Sequence, residues 1–201
     1  MNSHIFETHP LAPFTPPNSQ VLILGSFPPP QTRWKMPFYY PNFNNDFWRI
    51  MGLVFFDDKD RFINTADKSF YQDKIEQFLN DTGIAISDTA YQIKRLQNNA
   101  SDKFLEVITP MDIERILAKL PNCTSIITTG EKATQILCDT YAAAVPKVGQ
   151  SVDLKIGQKP ITLYRLPSSS RAYPLSLDKK AAVYRLVFEC LNLRPIDEIF
   201  R

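Results

Sequence analysis

The side chains best able to stack, donate and accept are crowded into two stretches of this sequence. Pro37-Phe38-Tyr39-Tyr40-Pro41-Asn42-Phe43-Asn44-Asn45-Asp46-Phe47-Trp48-Arg49 sets consecutive aromatics ahead of three amides and an acid, at the start of a helical pattern. The flat rings of Tyr39 and Tyr40 can stack on a nucleobase or simply cover the end of a sheet. One helix needs one N-cap, a role Asn42 or Asn44 can fill, which leaves Asn45 and Asp46 for other work. Ser168, Ser169, Ser170, Arg171 and Tyr173 form the second stretch, a loop whose hydroxyls and guanidinium suit phosphate oxygens. Ser176 behind it reads as the cap of a lysine-bearing helix. A third, smaller group is Gly25-Ser26-Phe27-Pro28-Pro29-Pro30. Prolines carry no N–H, so this loop cannot cradle phosphate and instead makes a stiff wall, with Ser26 and Phe27 as its adaptable positions. Asp88 and Gly130-Glu131-Lys132 are weaker signals, readable as a turn former and a helix start.

Several chemistries are ruled out by what is missing. His4 and His9 are the two histidines, both in the Pro-rich first stretch, so a mechanism needing a core imidazole must draw it from there. That argues against Ser-His and Cys-His hydrolases and against most zinc enzymes. Cys123, Cys138 and Cys190 form no CxxC pair and no disulfide framework, and three thiols cannot hold a four-cysteine iron–sulfur cluster. Neither a metal nor a cofactor is expected.

The elements that must position these groups follow from hydrophobic periodicity. Runs at 21–25, 83–88, 125–130 and 161–167 are apolar and end at small or turn residues, as strands buried on both faces do. Between them, apolar residues recur at helical spacing from Phe43 to Val54, Tyr71 to Leu79, Ile113 to Leu120, Ala133 to Leu137, and beyond Ser176 through Ala181, Tyr184, Phe188 and Leu191. Strands alternating with helices give an α/β domain with a mostly parallel sheet and helices on both faces, where ligands bind at the carboxyl ends of the strands. Val152–Ile156 reads as a further strand feeding the last core strand, and 57–69 and 92–102 as polar insertions. Residues 1–19, with four prolines, read as a surface arm, and 20–201 as one domain.

The 201 residues carry 23 Lys and Arg against 21 Asp and Glu, a net +2, with 44% apolar and 22% charged side chains. This is the composition of an ordinary globular protein, and it leaves a local basic face open. No apolar run is long enough to span a membrane and the N-terminus has no cationic head, so the expectation is a cytoplasmic protein.

Leu22-Ile23-Leu24-Gly25-Ser26-Phe27-Pro28, Tyr39-Tyr40, Asn45-Asp46-Phe47-Trp48-Arg49-Ile50, Gly83-Ile84-Ala85 and Leu166-Pro167-Ser168-Ser169-Ser170 together resemble the uracil-DNA glycosylase superfamily. The likeness is nearest to its hypoxanthine-DNA glycosylase branch, with the mismatch-specific uracil/thymine glycosylases second. It implies a three-layer α/β/α fold around a mostly parallel four-stranded sheet and metal-free removal of a damaged base from DNA. Mismatch-specific relatives carry a catalytic Asn two residues after the first-loop glycine, where this chain has Phe27. The hypoxanthine branch uses an Asn in a His-Pro-Arg-Asn stretch before Phe-Trp; here the stretch reads Asn42-Phe43-Asn44-Asn45, so Asn45 alone keeps its identity. The change fits either an altered substrate or lost activity.

The resemblance thus implies Asn45 as the catalytic residue, Ser26, Phe27, Tyr39 and Tyr40 as base-binding, and Ser168 to Arg171 with Tyr173 as DNA-binding. Arg171, and after it Tyr173, would fill the gap that the flipped base leaves. The partner would be DNA with a deaminated base, hypoxanthine or uracil, met by a monomer. Two alternatives stay open: a catalytically silent nucleic-acid-binding protein of the same fold, and an enzyme acting on a small nucleoside or nucleotide.

Overall fold

A computed structural model describes residues 6–96 and 104–193. His4 and the end of the 92–102 insertion lie outside the described residues. In chain order the elements are β1 (Phe6–Thr8), β2 (Val21–Gly25), α1 (Phe47–Phe56), β3 (Ile63–Asn64), β4 (Ser69–Phe70), α2 (Gln72–Thr82), β5 (Ile84–Asp88), β6 (Ala90–Arg95), β7 (Leu105–Pro110), α3 (Ile113–Leu117), β8 (Ser125–Thr129), α4 (Glu131–Tyr141), β9 (Ser151–Ile156), β10 (Lys159–Leu166) and α5 (Leu177–Cys190).

The central sheet runs β5-β2-β8-β10-β9. Its first four strands are parallel to one another and are the four apolar runs of the sequence. β2, β5 and β8 are buried along their whole length, and successive residues serve opposite faces. Val21 and Ile23 pack with α1, α2 and α5, whereas Leu22 and Leu24 pack with α3 and α4, which makes three layers. The expected four-stranded sheet is corrected in one respect: β9 adds a fifth strand, antiparallel to β10. Gly157, at φ +58°, turns the chain back between them. β9 exposes Ser151, Asp153 and Lys155 and buries Ile156, so its alternation suits a sheet edge that faces water on one side.

Within the first stretch, the described residues from Phe6 onward pair with two sheets. β1 pairs antiparallel with β6, which pairs with β7 in a second sheet. The His9 N–H donates to Tyr91 O at 2.7 Å, and Phe14 exchanges two backbone bonds of 3.0 Å with Ile86 at the free edge of β5. The polar insertion at 57–69 holds the short β3–β4 hairpin, while the 92–102 insertion begins as β6. Trp48 is fully buried and donates its indole N–H to Tyr39 O at 3.0 Å. Truncating such a side chain costs about 3–5 kcal/mol.

Candidate functional site

A cavity of about 540 Å³ opens at the carboxyl ends of β2, β5, β8 and β10. Ser26 and Phe27 enter it after β2, Tyr40 and Asn45 before α1, Asp88 from the end of β5, Thr129 from the end of β8, and Ser168–Tyr173 after β10. Every expected site residue except Tyr39 therefore lines one space. Tyr39 is buried elsewhere, with its hydroxyl donating to Ala12 O at 3.1 Å. Burial first, and then the charge of Asp88, push its phenol well above the ordinary value, so it stays protonated.

Asn45 does two things at once. Its Oδ1 accepts the Phe47 N–H at 2.8 Å, which satisfies a donor at the start of α1. The helix accordingly begins at Phe47 rather than Phe43, after a turn in which Asn42 Oδ1 accepts from Asn44 N at 3.0 Å and Asn42 O from Asn45 N at 2.8 Å. The capping expected of Asn42 or Asn44 falls to Asn45. Its amide Nδ2 has no hydrogen-bond partner among the described residues, and Asn45 is one of the residues that line the cavity.

A charged knot clamps the last loop to this helix start. Asp46 pairs through Oδ1 with Arg171 Nε at 2.9 Å and through Oδ2 with Lys180 Nζ at 3.2 Å. Lys180 is only 1% exposed and also donates to Ser170 O at 2.8 Å, and the Asp46 N–H donates to Ser169 O at 3.0 Å. Tyr184, fully buried, donates to Pro167 O at 2.9 Å and fixes the start of the loop. The Ser168 and Ser170 hydroxyls accept from Ser170 N and Ala172 N, both at 3.2 Å, keeping their own protons to donate. Arg171, the residue expected to fill a gap in DNA, is thus engaged with Asp46 and reaches Asn44 Oδ1 at 3.3 Å. Gly130 is required where the loop crosses β8: its φ is +96°, and a Cβ there would stand 3.2 Å from the Ser168 Cβ.

Asp88 of the cavity lining belongs to a pair that the sequence pattern gave little reason to join. Asp88 Oδ2 lies 2.9 Å from His9 Nε2, and both side chains are buried. Phe27 meets the imidazole edge-on at 5.2 Å between centroids, and Tyr39 lies over it at 6.0 Å. Asp88 leans so close to Gly25 that a Cβ at that position would collide with Oδ1 and sit 3.1 Å from Tyr40 Oη. Tyr40 itself adopts φ +52°, a conformation costly for a bulky residue. There its ring stacks on Phe47 at 3.8 Å, and its hydroxyl meets Thr129 Oγ1 at 2.6 Å. His9 was missed because its long-range pairing to β5 leaves no local signature. The one available hint was that a core imidazole, if present, had to come from that stretch.

No family model and no curated protein sequence matches the chain. Among solved structures, its fold matches the NMR structure of a candidate uracil DNA glycosylase from Methanosarcina acetivorans, with TM-score 0.57 and 20% identity over 91% of this chain and 99% of that one. At this identity the likeness establishes a shared fold. Among the described residues no group of three or more His, Cys, Asp and Glu side chains could hold a metal ion, and no helix is long and apolar enough to cross a membrane.

Proposed function

We propose that this protein is a monomeric DNA glycosylase that hydrolyses the N-glycosidic bond of a deaminated base, hypoxanthine or uracil, flipped out of DNA. The observation that carries this reading is the convergence, in one cavity at the strand ends, of two aromatic rings, an amide donor and a carboxylate, with a serine–arginine loop at the rim. The shared fold with a candidate uracil DNA glycosylase supports it. Flipping costs about a few kcal/mol, and stacking on Phe27 and Tyr40 returns about 1–3 kcal/mol per base. Bond breaking leaves positive charge on the sugar and negative charge on the base, so donors aimed at the base matter most. Asn45 Nδ2 is such a donor, and the second lone pair of Oδ1 can orient water. Asp88 supplies an acceptor for a ring N–H. Deamination creates that N–H: cytosine N3 and adenine N1 are acceptors, whereas uracil N3 and hypoxanthine N1 carry a proton. The Ser168–Tyr173 loop then bears on the backbone, with Arg171 offering phosphate the guanidinium N–H groups that Asp46 does not use.

The test is detection of free base by mass spectrometry after incubation with DNA containing hypoxanthine or uracil, in EDTA. Release at a rate unaffected by chelation is expected. A second reading, a silent nucleic-acid-binding protein, is favoured by the use of Asn45 Oδ1 in capping; tight DNA binding with no base released from any deaminated substrate would establish it.

A further inference from the structure

Two guanidinium groups are among the described residues lining the cavity, those of Arg33 and Arg171. Arg33 is exposed and makes no side-chain hydrogen bond or ion pair among the described residues, which leaves it at liberty to meet a phosphate. Arg171 is placed differently. Its Nε donates to Asp46 Oδ1 at 2.9 Å and its Nη1 to Asn44 Oδ1 at 3.3 Å, so one planar group grips the residues on either side of Asn45. Charge balance does not require this, because the buried Lys180 already meets Asp46 Oδ2 at 3.2 Å.

The backbone makes the same connection. Asn45 and Ser170 form an antiparallel bridge, and the Asp46 N–H donates to Ser169 O at 3.0 Å. From α1, Arg49 Nη1 donates to Phe43 O at 3.0 Å and to Asn45 O at 3.3 Å. The Asn45 side chain has one hydrogen bond of its own, from the Phe47 N–H, so the direction of its amide follows the backbone that carries it. We propose that Arg171 is a positioning residue for Asn45: it ties the turn carrying the amide to the Ser168–Tyr173 loop, so that loop and amide meet DNA as one unit, instead of entering the duplex to fill the gap. This rests on the glycosylase reading above.

Single-turnover base release at saturating protein, on the same modified base in single strands and in duplex, separates the roles open to Arg171. Arg171→Ala should slow the chemical step by about 10-fold or more on both substrates, the scale of a misplaced active-site group. In an Asn45→Ser background the same change should cost less than about 2-fold, because its effect passes through the amide. Arg171→Lys keeps the charge but replaces a two-point fork by a single point, so it should be as slow as Arg171→Ala. A loss confined to duplex would make Arg171 a gap filler, and a loss of affinity alone a phosphate contact. Either result, an additive loss in the Asn45→Ser background, or full recovery in Arg171→Lys would overturn the proposal. Lys180 still pairs with Asp46 in these variants, so the buried carboxylate is not orphaned; should Arg171→Ala nonetheless fail to fold, Arg171→Lys carries the test. 15N relaxation of the Asn45 side-chain amide, identified by its loss in Asn45→Ser, needs no activity: the amide should be rigid in the parent and more mobile in both Arg171 variants. Unchanged mobility would overturn the positioning role, whereas a parent that releases no base would overturn the glycosylase reading instead.

Discussion

Replacing Asn45 separates the two tasks the structure gives it. Its Oδ1 holds the Phe47 N–H at 2.8 Å, and the neighbouring Asp46 makes no side-chain cap of its own. Asn45→Ala should therefore lose about 1 kcal/mol of stability, within the roughly 0.5–2 kcal/mol range for lost caps. Ser caps about as well as Asn, so Asn45→Ser should unfold within about 0.5 kcal/mol of the parent. Neither variant carries an amide N–H toward the cavity. If Nδ2 meets the charge developing on the base, both should slow the chemical step by about 10²-fold or more, the loss typical of one preorganised donor. The assay is single-turnover base release at saturating protein, with urea unfolding of each variant alongside. Parental rate in Asn45→Ser, or a rate loss confined to the destabilised Ala variant, would refute the donor role and leave Asn45 as a cap.

Lys180→Met removes one of two cations from buried Asp46 and the donor to Ser170 O; urea unfolding should show a loss of about 3 kcal/mol, and an unchanged midpoint would mean that Arg171 alone suffices. Gly25→Ala drives a methyl into Asp88 Oδ1 while His9 holds Oδ2; thermal melting should show a folded protein and single-turnover assays at least about 10-fold slower base release, the scale of a misplaced active-site group. Burial pushes the Cys123 thiol up to about 11, and Cys138 is buried too, whereas Cys190 is exposed. A thiol-reactive dye at pH 8 should thus label Cys190 at once and Cys123 only on unfolding.

Patterns that repeat locally were legible in the sequence. Val21–Gly25 is apolar at every position because both faces are covered, and that run, with its three parallel partners, located the strand ends and hence the loops of the site. The fifth strand was visible as a segment with a turn at Gly157 feeding the last core strand, but its membership of the central sheet was not, since its half-exposed alternation does not match the fully buried runs. Asn45 stood out by exclusion, yet the cap passed to it through bonds within the Asn42–Asp46 turn, which residue counting cannot order. His9, Asp46 and Lys180 were illegible as partners because 79 residues separate His9 from Asp88 and 134 separate Asp46 from Lys180. Tyr39 looked like its neighbour Tyr40, but the left-handed backbone at Tyr40 sends one ring to the cavity and the other into the core.

Glycosylase activity is tested most directly by incubating excess protein with end-labelled duplexes carrying a single hypoxanthine or uracil, in EDTA, followed by hot alkali. Strand breaks at the modified position that require alkali, reach completion in one turnover and fall by about 10²-fold in Asn45→Ser are the expected result. Intact strands for hypoxanthine, uracil and xanthine alike, with the duplex demonstrably bound, would contradict it.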